Sequence, residues 1–116
     1  ATDHYGDPEL NALAAHYAAT MEAGSVLVPV GGIRMVQRLS NMSGGRLLLL
    51  TGDKGYNSPD EMRALRDPHV ALHGSFSLMV NFDAVRLFVE KRGGVALQSP
   101  YQDGFKCCVF GLGVKS

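Results

Sequence analysis

Leu10, Leu13, Ala14, Tyr17 and Met21 recur at helical spacing and make one apolar stripe, while Glu9, Asn11, His16 and Glu22 fall mostly off it. Asp7-Pro8 supplies the start, because Asp caps free amides and Pro at the first helical position loses no bond; Gly24 is expected to close the helix. The pattern then changes. Val26-Leu27-Val28-Pro29-Val30 is a continuous apolar run rich in β-branched residues, which predicts a short strand covered on both faces, with Pro29 marking an edge or a strand end. Gly31-Gly32 breaks that run, and Ile33, Val36 and Leu39, with Met35 and Met42 beside them, predict a second helix stopping at Ser43-Gly44-Gly45.

Arg46-Leu47-Leu48-Leu49-Leu50-Thr51 is the strongest candidate for a buried strand, being short and abruptly bounded. Gly52–Asn57 reads as the loop leaving its carboxyl end, and Ser58-Pro59-Asp60-Glu61 begins a short helix through about Leu65, ended by Asp67-Pro68-His69. Alternation is poor around His73–Ser77. Asn81 caps a third helix carrying Phe82, Val85, Leu87, Phe88 and Val89 up to Gly93-Gly94. Val95–Ser99 and Phe105–Leu112 are two further strands, joined by Pro100–Gly104 as a hairpin. The expected architecture is one α/β domain over residues 1–116: about four strands, the first pair parallel with a right-handed crossover, a C-terminal antiparallel hairpin, and helices on the faces of the sheet. There is no internal repeat, low-complexity tract or linker.

Composition narrows the function classes. The 116 residues (12.4 kDa) are 46% hydrophobic and 19% charged, with a mean hydropathy of +0.02, which suits a core-forming chain. Eleven basic residues balance eleven acidic ones, so no basic field exists to hold phosphates and general nucleic-acid binding is demoted. No run approaches the ~20 apolar residues of a membrane span, and Ala1-Thr2-Asp3-His4 lacks the start of a signal peptide, so a cytoplasmic location is expected. Adjacent Cys107 and Cys108 form neither a disulfide framework nor a zinc knuckle and read as two reduced thiols in a strand. His69 and His73 lie four apart, but Pro68 and Gly74 flank them and no His-Glu-x-x-His pattern is present, so no metal is expected. Gly74-Ser75-Phe76-Ser77 is not a nucleophile elbow. The Met and Phe residues at 35, 42, 62, 79, 82 and 88 read as core filling, and Arg34, Arg38, Arg46, Arg63 and Arg66 as solvated charges.

Ligands of open parallel sheets sit outside the carboxyl ends of the strands, which nominates Gly31, Gly32, Gly52, Asp53, Lys54 and Tyr56. The competing reading is that Gly52 and Gly55 are turn glycines and that Asp53 and Lys54 are solvated loop charges. Gly31-Gly32 is followed by Ile33-Arg34 and so is not a P-loop.

Four segments, Gly44-Gly45-Arg46-Leu47-Leu48-Leu49, Asp53-Lys54-Gly55-Tyr56, Val80-Asn81-Phe82-Asp83-Ala84 and Gln102-Asp103-Gly104-Phe105, resemble in order stretches of the MidA-like S-adenosylmethionine-dependent methyltransferases. That family shows a Gly-Gly-hydrophobic strand, an Asp-Tyr-Gly exit loop, a Val-Asp-Phe helix start and a Gln-Gly-x-Phe segment; here the loop tyrosine is displaced to Tyr56. The resemblance covers roughly residues 44–113 and implies the C-terminal half of a class I, Rossmann-like methyltransferase fold. It implies Asp53 and Tyr56 near the transferred methyl group; Gly31 and Gly32, nominated by their place at the end of a predicted strand, are the candidate cofactor contacts. The Gly-rich turn and acidic residue that would hold most of S-adenosylmethionine are not found N-terminal of Val26, so the cofactor is expected only in a longer parent chain. The Val26–Val30 strand would then be a bare edge, seeking a second copy or a missing N-terminal half. Two functions follow: a portion of a methyltransferase, or a non-catalytic interaction or self-association module.

Overall fold

The computed structural model describes residues 3–21, 26–56, 58–63, 70–72, 76–98 and 105–113. Asp7 opens α1 (Pro8–Thr20) as its sequence predicts: its Oδ1 accepts from the amides of Glu9 (2.9 Å) and Leu10 (3.3 Å), and Pro8 sits where no amide is needed. Leu10, Leu13 and Tyr17 form the buried stripe.

The predicted strand at Val26–Val30 does not form. Pro29 adopts φ −79° and ψ 72°, close to an inverse γ-turn, and the Val30 amide donates back to the Val28 carbonyl at 2.8 Å. The Pro29 carbonyl then accepts from Ile33 (2.9 Å), so the chain enters α2 (Val30–Met42) directly and Gly31-Gly32 becomes its first turn rather than a break. Val26, Val28 and Val30 pack against the core half-buried, which replaces the expected bare edge. The helix ends where expected, through Gly44 and Gly45 at positive φ.

Strand β1 (Leu47–Tyr56) is longer than the leucine run and absorbs the predicted Gly52–Asn57 loop up to Tyr56, because residues Phe105–Leu112 pair with it over eight residues, from Leu47 opposite Leu112 to Lys54 opposite Phe105, and Val80-Asn81 pairs with Gly55 and Tyr56. A single 3₁₀ turn (Pro59–Glu61) stands in place of the start of the predicted short helix, whose end near Leu65 lies outside the described residues, as do Asp67–His69. β2 (Val70–Leu72) and β3 (Phe76–Leu78) form a separate antiparallel ladder that the weak alternation there does not announce. Then follow β4 (Val80–Asn81), α3 (Phe82–Lys91), β5 (Val95–Gln98) and β6 (Phe105–Leu112).

The main sheet is mixed, in the order β4-β1-β6-β5. Among the described strands only β1 and β4 run parallel, Gly55 and Tyr56 facing Val80 and Asn81; β6 lies antiparallel between β1 and β5. The C-terminal antiparallel pair is as predicted, whereas the expected parallel pair between residues 26–30 and 46–51 is replaced by β1 with β4. Leu47, Leu49, Ala96, Cys108, Phe110 and Leu112 from alternate strand positions join one core with Leu10, Leu13, Ile33, Val36, Phe88 and Val89 from the three helices. The helices thus lie on one side of the sheet, not on both as the sequence suggested. Gly55 permits this closeness: a Cβ there would run into the Val80 carbonyl and lie 2.7 Å from the Phe82 ring.

Polar ties fix the helices to one another. The fully buried Asp83, in the first turn of α3, accepts from the Tyr17 hydroxyl of α1 at 2.6 Å and from Arg86 at 2.6 Å. Burial, and then the bond to Asp83, push the Tyr17 hydroxyl far above its ordinary pKa, so it remains a neutral donor. Asn81 caps α3 through the Ala84 amide (3.1 Å) and donates to the Leu27 carbonyl (3.0 Å), holding the irregular segment before α2 against the end of β4. Arg92 makes two bonds to Glu9, at 2.6 and 2.7 Å, and stacks 4.8 Å over the Phe88 ring.

Two outcomes test this packing. Gly55→Ala is expected to cost about 1–3 kcal/mol by overpacking, read as a lower urea midpoint at unchanged m. The bond from Arg92, then that from Gln37, holds the Glu9 carboxyl below its usual range against the opposing effect of burial. A carboxylate depressed in the folded state contributes stability above its unfolded pKa of about 4.3 and loses it as pH falls through the lower folded value, so stability is expected to decline below about pH 5. Glu9→Gln should make that decline shallower in denaturant midpoints taken across pH 3–6; an unchanged slope would show that the pair carries no linkage.

Candidate functional site

The nominated residues fall into two places. Gly31 and Gly32 are exposed in the first turn of α2, with open space where a Cβ would stand at Gly31 and only Pro29 Cβ at 3.9 Å from Gly32. Gly31 lines a shallow groove of about 380 Å³ together with Arg34, Met35, Arg38 and Leu39. S-adenosylmethionine would need a tight glycine turn leaving a strand, so that backbone can approach the ligand. Here no strand leads into the glycines, and the residues described do not fit that group.

Asp53 and Tyr56 belong to β1 rather than to a loop. Asp53 is exposed, stands opposite Lys106 in the ladder, and its Oδ1 accepts from the Lys54 amide at 2.8 Å. Tyr56 is half-buried against the core and faces Asn81 across the parallel pair. Gly52 and Lys54 are exposed strand residues. The cysteines lie in β6 as expected, outside any disulfide: Cys107 is exposed and Cys108 buried, with burial pushing the Cys108 thiol above its usual pKa. His69, His73 and Ser75 lie outside the described residues; among the described ones, no cluster of three or more His, Cys, Asp or Glu could hold a metal ion. No described helix is long and apolar enough to cross a membrane.

The feature that sequence reasoning missed is the other side of the sheet. Strand alternation sends Leu48 and Leu50 of β1, Leu97 of β5 and Phe105 of β6 away from the helices, and they remain 61%, 70%, 69% and 46% exposed. Val109 of β6 lies between Leu50 and Leu97 in the ladder and joins them into one surface. Where Gly52 leaves a gap opposite Cys107, the Phe105 ring fills it, with its Cζ 3.3 Å from where a Cβ of Gly52 would be. By contrast, Lys106 points inward, 1% exposed, and meets Glu61 at 3.2 Å. A run of four leucines hides this alternation, since its pattern is the same whether one face or both are covered; the only hint is the strand spacing of Phe105, Cys107 and Val109. Two methionines also depart from expectation: Met35 and Met42 are exposed on α2, whereas Met62, Phe82 and Phe88 fill the core.

Contiguous exposed apolar surface beyond a few hundred Å² is uncommon on monomers and marks interaction sites. Residues on this face should be replaceable without loss of fold. Leu50→Thr is expected to shift stability by no more than about 0.5 kcal/mol in dilute solution, while Phe110→Ala, on the helix-covered face, is expected to cost about 3–5 kcal/mol in the same denaturant titration. Compared with known proteins, the chain matches no family model, no curated protein and no solved structure.

Proposed function

We propose that the chain is a non-catalytic α/β interaction module whose working surface is the helix-free face of its sheet. The single observation that carries this reading is the continuous exposure of Leu48, Leu50, Leu97 and Phe105 on a sheet whose opposite face is closed by three helices. An apolar face of this kind gains free energy when any matching apolar surface covers it. The grooves among the described residues supply no comparable chemistry. The one between α1 and α3, about 320 Å³, brings together only His16, Glu90 and Lys91 as ionisable groups, on an open surface.

A second reading makes the chain the C-terminal portion of a Rossmann-like, S-adenosylmethionine-dependent methyltransferase. It is favoured by the exposed Asp53 near the carboxyl end of β1, where the sheet is parallel, and by the start of α3 at Phe82 directly after Val80-Asn81. In that reading Asp53 and Tyr56 serve a methyl transfer whose cofactor is held mainly by residues of a longer chain.

Calorimetric titration with S-adenosylmethionine separates the two. The module reading expects no saturable heat up to millimolar ligand; a saturable heat that Asp53→Ala abolishes would overturn it in favour of the methyltransferase.

A further inference from the structure

We infer that the occupant of the bare sheet face is a second copy of this chain, packed sheet against sheet about a two-fold axis; this rests on the module reading above. The face is large enough for such a contact. Taking about 200 Å² for a large apolar residue, the exposed fractions of Leu48, Leu50, Leu97 and Phe105 amount to on the order of 500 Å², and exposed Cys107 and Gly52 with half-buried Val109 bring the face to roughly 700 Å². Two such faces would bury about 1,400 Å² in total, within the ~1,200–2,000 Å² of stable specific interfaces.

Its charge also suits a second copy. Lys54 is the charged strand residue of this face, and it stands at the last β1–β6 pair, at the rim, so the centre offers nothing that would select a charged partner. A surface of leucine, valine and phenylalanine is complementary to itself, as an isologous contact requires. The eleven basic and eleven acidic residues of each copy cancel, so two copies meet without long-range repulsion. Sheets stacked face to face lie ~10 Å apart with side chains interdigitating, and the protruding Leu48, Leu50 and Leu97 supply the side chains for such a contact.

Sedimentation velocity over about 1–200 µM tests the proposal, since interfaces of this size reach micromolar dissociation constants or tighter. The intact chain is expected to shift from monomer to dimer with rising concentration. Leu50→Asp and Leu97→Glu should each weaken the dimer at least tenfold while leaving the circular dichroism spectrum unchanged. Met42→Asp, which changes an equally exposed apolar residue on α2, should leave association intact. A chain that stays monomeric throughout overturns the proposal, and so does a dimer that Met42→Asp breaks and Leu50→Asp does not. The first result, with no heat from S-adenosylmethionine, would leave the module reading standing with a different partner; a saturable heat would remove that reading itself.

Discussion

A four-stranded sheet has two faces, and the helices of this chain bury their apolar stripes against the same one. Leu10 and Leu13 of α1, Ile33 and Val36 of α2, and Phe88 and Val89 of α3 meet in one cluster with the inward residues of β1, β5 and β6. With the helices committed there, the outward residues of the same strands have no cover among the described elements. Because side chains alternate along a strand, each inward Leu49 or Phe110 obliges an outward neighbour such as Leu50 or Val109. The exposed face is therefore a direct consequence of how the core is built, and its apolar character is what distinguishes it from the solvated face of an ordinary antiparallel sheet.

Polar contacts hold the helices in that arrangement more specifically than apolar packing does. The Tyr17–Asp83–Arg86 set lies between α1 and α3, and its buried carboxylate has its donors at 2.6 Å, the short distances of charge-assisted bonds. Asn81 links the end of β4, the start of α3 and the segment before α2 through one side chain. Glu9 and Arg92 close the same pair of helices at the surface. These groups serve the geometry of the fold, and the face opposite them is left with almost no polar chemistry.

The three long helices were legible because each carries local signals: Asp7-Pro8 and Asn81 as caps, Gly44-Gly45 and Gly93 as stops, and apolar residues at helical spacing between them. The C-terminal antiparallel strands were legible for a similar reason. Val26–Val30 misled because its composition favours a strand, while Pro29 takes ψ 72° and the Val30 amide bonds back to the Val28 carbonyl, an inverse γ-turn that leads the chain into α2. Gly52–Tyr56 misled in the opposite direction: glycines and charges suggest a loop, but pairing with β6, a contact between residues more than fifty positions apart, extends the strand to Lys54, and pairing with β4 carries it to Tyr56. Candidate site residues chosen from those two segments inherited both errors of placement. The bare face left only the strand spacing of Phe105, Cys107 and Val109 as a sign, since which side of a leucine-rich strand is covered depends on where the helices pack.

The neighbouring thiols of β6 point to opposite sides of the sheet and so report which side is closed and which is open. Native protein at sub-micromolar concentration, where monomer should dominate, is treated with a small alkylating reagent and the modified cysteine identified by mass spectrometry. Cys107 is expected to react rapidly and Cys108 to stay protected until the chain is unfolded; equal reactivity, or protection of Cys107 in the dilute monomer, would mean that the sheet does not have one closed and one open side.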